Sequence, residues 1–207
     1  HADQHLDRQE NIFFQRVEWN PKESRNLRAE SADFSSFATS ELGMKVRIAL
    51  SEDRPKLAIM VSQADHCFHD LVLRVRSGEW NAKIVGVISN HENMGPDTHA
   101  YGIDYLHIPM SSENKQDVEQ KQLSWLKSQQ VDLVILARYM QILSPSFLDQ
   151  LGCPVINIHH SFLPSFAGAK PYHQAYQRGV KLIGATAHYV TEDLDEGPII
   201  EQDVTRV

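Results

Sequence analysis

From Lys56 onward the chain reads as short apolar runs bounded by turn residues: "KLAIMVS", "KIVGVISN", "DYLHIP", "VDLVILAR" and "PVINIHH". Between them lie segments of helical character, Asp65 to Arg76, Glu113 to Gln129 and Pro145 to Leu151. A strand with one face in water alternates apolar and polar residues. These runs barely alternate, so both of their faces must be covered. Continuous apolar strands separated by helices predict an α/β fold with a mostly parallel sheet between helical layers. In such sheets ligands bind at the carboxyl ends of the strands, where the strand order reverses. A helix from about Pro171 to Arg178 follows, then a strand "IGATAHYV", the acidic loop "TEDLDEG" and a last strand "PIIEQDV".

Residues 1–52 have another rhythm and read as strand, strand, helix, strand. "NIFFQRVEW" is rich in aromatic and β-branched residues. Phe34, Phe37, Ala38 and Leu42 recur at helical spacing up to Gly43, a candidate C-cap. In "MKVRIALSE", Val46, Ile48 and Leu50 alternate as in a half-buried strand. Residues 53–55, "DRP", form a linker, because Pro55 cannot continue a strand ladder. The chain opens on His1 and stops in the strand-like "EQDVTRV", so a piece of a longer protein is expected.

A net charge of −7 gives no pull toward phosphate backbones or anionic lipid, so neither nucleic acid nor a membrane is an expected partner. There is no apolar run of membrane-spanning length and no signal-peptide pattern. Cys67 and Cys153 lack C-x-x-C spacing and suggest reduced thiols in a cytoplasmic protein.

Three places could carry chemistry. In "VINIHHSFLPSF" the strand alternation aims Asn157 and His159 to one side while Ile156 and Ile158 face the other. They could simply hydrogen-bond a strand end. An amide can also donate to a carbonyl oxygen, and an imidazole can stabilise or protonate a developing oxyanion. The loop with Glu192, Asp193 and Asp195 is either a solvated turn or a source of a carboxylate that orients His159. "LARYMQILSP" could be ordinary core packing after a strand. Alternatively its main chain could read a flat heterocycle, with Met140, Ile142 and Leu143 as apolar walls.

The turn "VSQADHCFHD" has no glycine, so it cannot offer a phosphate the close backbone approach of a phosphate loop. His66, Cys67 and His69 are metal-ligand types without an obvious fourth ligand. His159, His160, His173 and His188 show no H-E-x-x-H spacing, and no metal is expected.

The words "VINIHHSFLPSF", "GAKPYHQAYQRGVKLIGATAHYVTEDLDEGPIIEQDV", "LARYMQILSP" and "VISNH" together resemble the formyltetrahydrofolate deformylases. These belong to the formyltransferase-fold superfamily, which also holds glycinamide ribonucleotide formyltransferase. The resemblance implies that 56–207 is a Rossmann-like catalytic domain lacking its C-terminal segment. It implies that 1–52 is part of an α+β, ferredoxin-like ACT regulatory domain without its first strand and helix. It further implies hydrolysis of 10-formyltetrahydrofolate to tetrahydrofolate and formate, with Asn157, His159 and Asp195 as the catalytic trio.

By the same resemblance, Arg138, Met140, Gln141, Ile142 and Leu143, with Thr191, Glu192 and Asp193, would bind the folate. Asp65 and His66, where nucleotide-accepting relatives carry a glycine-rich turn, are a candidate water or formyl site. No cofactor is implied. A homo-oligomer, dimer or tetramer, and an amino-acid effector at the ACT domain are. The alternatives are a formyltransferase to an amine, or a folate or amino-acid sensor without turnover.

Overall fold

The computed structural model describes residues 1–20, 26–166 and 170–207. It divides into two compact units, His1–Glu52 and Asp53–Val207. In the first, β1 (Ala2–Asp7) and β2 (Ile12–Val17) pair antiparallel, from Ala2 opposite Val17 to Asp7 opposite Ile12. Asp7 Oδ1 closes the turn by accepting from the amides of Gln9 and Glu10, at 2.9 and 3.1 Å. Helix α1 (Leu27–Ser40) starts where Asn26 Oδ1 accepts from the Ala29 amide at 3.3 Å.

The expected third strand in this unit is not formed. Residues 44–50 sit in no ladder; among the described residues the sheet of this unit is the β1–β2 pair. The alternation that suggested a strand is nevertheless real: Val46, Ile48 and Leu50 are half-buried, and Lys45, Arg47 and Ala49 are exposed. The helix ends two residues before the expected position, at Ser40 with Glu41 as C-cap, and Gly43 turns the chain with φ +63°.

The second unit is a seven-stranded sheet. Its strands are β3 (Lys56–Val61), β4 (Lys83–Ser89), β5 (Tyr105–His107), β6 (Leu133–Ala137), β7 (Val155–His159), β8 (Leu182–Tyr189) and β9 (Ile199–Arg206). Their order is β5-β4-β3-β6-β7-β8-β9. Pairs from β5 through β7 are parallel; β7–β8 and β8–β9 are antiparallel. The helices are α2 (His66–Arg76), α3 (Gly95–Ala100), α4 (Lys115–Ser128), α5 (Pro145–Leu151) and α6 (Pro171–Gln177). Helix α3 was not foreseen, since six residues are too few for a 3.6-residue period to register.

The alternation along β3 separates two cores. Ala58 and Met60 pack with Leu123, Leu126, Tyr139 and Phe147 on the α4–α5 side. Leu57, Ile59 and Val61 pack with Phe68, Leu71, Val72 and Met94 on the α2–α3 side. Covering both faces explains why these strands read as unbroken apolar runs.

Strand order reverses between β3 and β6, so the crevice of the fold opens at their carboxyl ends. The loop after β6 is tied down there. Ser62 Oγ, just past β3, meets the Tyr139 carbonyl and lies 2.6 Å from Asn90 Oδ1. Tyr139 is buried, its hydroxyl accepting from Gln122 Nε2 at 2.8 Å, and burial pushes its pKa up to about 12. Glu119, nearly buried on α4, accepts from the Ser144 amide at 2.9 Å and from Ser144 Oγ at 2.6 Å.

Glu119→Ala would leave two half-buried donors of Ser144 unpaired. We expect a loss of about 1–3 kcal/mol in unfolding free energy, measurable by urea denaturation, and faster amide exchange across residues 139–144. Unchanged stability would show that the brace carries no weight.

Candidate active site

Strand β7 ends at the crevice, and its antiparallel pairing with β8 sets the site. The register places Asn157 opposite His188 and His159 opposite Thr186. Along β8 burial alternates, so Gly184, Thr186 and His188 point inward together. Thr186 Oγ1 donates to the Ser161 carbonyl at 2.7 Å and accepts from the Leu163 amide at 3.1 Å. Those bonds fix the loop that leaves His159.

The loop after β8 returns Asp195 to the strand ends. It is closed by the Tyr189 amide donating to the Pro198 carbonyl at 2.9 Å, and the Val190 amide donating to the Val155 carbonyl at 2.9 Å. Gly197 packs so closely on the Tyr189 carbonyl that a Cβ there would overlap the oxygen. Asp195 itself turns with φ +60°, a conformation that Asp tolerates better than most residues. Arg138 and Met140 in the loop after β6 also have positive φ, at +62° and +57°. Non-glycine residues held in this region concentrate at functional loops.

Within this frame the structure brings Asn157, His159 and Asp195 together. Asp195 Oδ1 lies 3.3 Å from His159 Nδ1, with only 5% and 7% of the two side chains exposed. A carboxylate can only accept from Nδ1–H, which leaves Nε2 as the bare nitrogen of a neutral ring. That Nε2 is buried and has no hydrogen-bond partner among the described residues.

His188 completes the group and was not singled out as a site residue from the sequence. Its Nδ1 donates to the Tyr189 carbonyl at 3.0 Å, so a neutral ring has a bare Nε2. Asn157 Nδ2 donates to that Nε2 at 3.2 Å, which fixes the amide and leaves its second N–H for another acceptor. His188 Nε2 is also 3.8 Å from Asp195 Oδ1. The clue lay in the period-two burial of "IGATAHYV", which places Thr186 and His188 on one face.

The other expected residues are distributed as follows. Tyr139 and Leu143 anchor the β6 loop in the core, while Met140 and Ile142 are 63% and 59% exposed and Gln141 is half-buried. The loop thus presents alternate apolar side chains outward from a fixed backbone. Thr191, Glu192 and Asp193 form the exposed tip of the β8–β9 loop, where Thr191 Oγ1 donates to the Asp193 carbonyl at 3.1 Å. Asp65 and His66 stand at the start of α2 on the same sheet edge, and Asp65 turns to within 4.0 Å of His69 Nε2.

His69 Nδ1 pairs with Tyr101 Oη at 3.1 Å, away from Cys67, which packs against the core on the α2–α3 side. Among the described residues no group of three or more His, Cys, Asp or Glu side chains is placed to hold a metal ion. Cys67 and Cys153 are both free thiols, with pKa values raised by burial. Gly168 and Ala169 of the "GAKPYHQA" word lie outside the described residues.

Burial lowers the His159 pKa, and the Asp195 carboxylate opposes this without reversing it. For His160, burial, the Arg138 guanidinium and His159 together hold the pKa down at about 4. Both rings are therefore neutral at pH 7.

The reversal of strand order beside a largely enclosed Asn–His–Asp group defines an α/β enzyme domain of the formyltransferase type. A formyl transferase family model matches residues 55–207. A deformylase of Mycobacterium tuberculosis is 55% identical over 175 residues, 84% of this chain and 56% of its own length. One from Synechocystis is 49% identical over the whole of this chain and 72% of its own length. The crystal structure of a formyltetrahydrofolate deformylase from Pseudomonas syringae superposes with a TM-score of 0.91 and 44% identity, covering 100% of this chain and 70% of that one. A glycinamide ribonucleotide transformylase from Symbiobacterium toebii reaches 0.70 at 29% identity, covering 78% of each chain.

The chain belongs to the formyltetrahydrofolate deformylase branch of the formyl transferase family. It spans 56% of the length of the mycobacterial relatives it matches.

The depressed histidine pKa values have a consequence for stability. Between the ordinary value of 6.5 and about 4, the unfolded chain protonates His160 and the folded chain does not. In that window the unfolded state binds more protons, so stability is full above pH 6.5 and falls as the pH is lowered. Thermal midpoints from pH 7.5 to 4.5 should decline more steeply for the wild type than for His160→Phe. Parallel curves would contradict a neutral, half-buried His160.

Proposed function

We propose that the protein hydrolyses 10-formyltetrahydrofolate to tetrahydrofolate and formate. The observation that supports this most is the convergence of Asn157, His159 and Asp195 at the crevice. Beside it stands the closer likeness to deformylases than to nucleotide-accepting transformylases. The turn after β3 points the same way. With no glycine between Ser62 and Asp70 it has no cradle for an acceptor's phosphate, so water is the natural acceptor.

In this reading Asn157 donates its second amide hydrogen to the formyl oxygen, and His159 Nε2, once it carries the proton taken from water, stabilises the oxyanion that forms. Water adds its oxygen to the formyl carbon, and one of its protons passes by way of Asp195 and His159 to N10. The C–N10 bond then breaks with its electron pair on nitrogen. The formyl group leaves as formic acid, which ionises to formate. Lowered basicity suits His159 to this exchange, since a ring that is neutral at rest can take a proton and release it.

The pterin lies against the backbone of Met140 to Leu143 and the loop from Thr191 to Asp195, with Arg138 and Gln141 beside it. Asp65 and His66 shape the water side. The reaction uses the folate and water alone, with no cofactor. Among the described residues no helix is long and apolar enough to cross a membrane; with reduced cysteines and a folate substrate, this supports a cytoplasmic setting. Residues 1–52 we read as part of an ACT domain that binds an amino-acid effector and pairs subunits into a dimer or tetramer. The exposed Phe13 and Val17 on one side of a two-stranded sheet support a face in need of a partner.

Formate release without added acceptor tests the proposal. Asp195→Asn keeps the side chain's shape and removes its charge, so turnover should fall by about 10²–10³ with folate binding retained. Wild-type turnover in that variant would rule out the assigned role.

A further inference from the structure

The hydrolytic scheme leaves one imidazole at this edge without a task. His160 follows His159 directly, and its ring centroid lies 5.5 Å from that of His159 at an interplanar angle of 40°. On another side it meets Tyr172 edge-on, at 5.5 Å and 72°. Tyr172 is held in turn by its hydroxyl donating to the Gly184 carbonyl at 3.4 Å. The ring is therefore fixed by packing. Among the described residues neither of its nitrogens has a hydrogen-bond partner, and neither is sealed from solvent.

The neighbouring imidazoles have other tasks. His188 spends Nδ1 on the Tyr189 carbonyl and Nε2 on Asn157; His159 spends Nδ1 on Asp195 and keeps its bare Nε2 for the proton bound for N10. A water held for attack needs at least two polar partners. The Asp195 oxygen that lies between two imidazole edges can be one of them. A second acceptor is needed on the same side, and a neutral imidazole always has one bare nitrogen.

We propose that His160 is a catalytic residue for this hydrolysis: its bare nitrogen accepts a hydrogen bond from the attacking water and aims the water oxygen at the formyl carbon. The proposal rests on the hydrolytic reading of the site and adds the group that makes water the acceptor. Burial and the nearby Arg138 keep the ring unprotonated through the neutral range, so the acceptor is available where the enzyme would work.

Two variants separate this role from packing. His160→Phe keeps a ring against His159 and Tyr172 and removes the acceptor; His160→Gln restores an acceptor oxygen. For formate release from 10-formyltetrahydrofolate, His160→Phe should lower kcat by about a hundredfold. KM and tetrahydrofolate binding, read by protein fluorescence, should stay within about twofold of wild type. His160→Gln should recover about tenfold of the lost rate. The proposal is overturned if His160→Phe turns over like wild type, if the loss appears in KM, or if His160→Gln falls as far as His160→Phe. A wild-type protein that binds the folate and releases no formate would instead overturn the hydrolytic reading itself.

Discussion

A carboxylate with 5% of its side chain exposed needs a partner that offers it a hydrogen bond. For Asp195 that partner is His159 Nδ1, and the rest of the site depends on this contact. It fixes the tautomer of His159, leaves Nε2 as the bare nitrogen, and requires the β8–β9 loop to carry Asp195 back over the strand ends. The close packing of Gly197 on the Tyr189 carbonyl belongs to the same constraint, since that carbonyl also holds His188. Asn157, His188, Asp195 and His159 are thus a single chain of contacts in which each member sets the orientation of the next.

The fold supplies the rigidity such a group needs. Asn157 and His159 stand on a strand with parallel neighbours on one side and an antiparallel hairpin on the other. The switch to antiparallel pairing at β7 brings His188 beside Asn157, because opposed residues share a face. On the parallel side, Glu119 and Gln122 of α4 hold the β6 loop by Ser144 and Tyr139. Buried polar residues on an otherwise apolar helix face are costly unless satisfied, and here their partners lie in the loop proposed to receive the pterin.

Much of this was legible before any coordinates. The apolar runs from Lys56 foretold the parallel sheet because strands buried on both faces cannot alternate, and the alternation in "VINIHH" correctly put Asn157 and His159 on one side. What escaped were features made by long-range pairing. His188 looked like one histidine among many, since its meaning depends on the β7–β8 register. Glu119 and Gln122 carry no signal of their own in the sequence, since their partners lie in the loop after β6. Residues 44–50 kept the pattern of a strand and lacked the partner that would make them one, which pattern alone does not reveal.

The most direct test of the central claim is to run the reaction in water enriched in oxygen-18 and weigh the product formate by mass spectrometry. If the Asn157–His159–Asp195 group directs water onto the formyl carbon, the formate acquires one labelled oxygen and tetrahydrofolate appears in equal amount. Unlabelled formyl groups found on an amine, or no turnover with folate bound, would contradict the account.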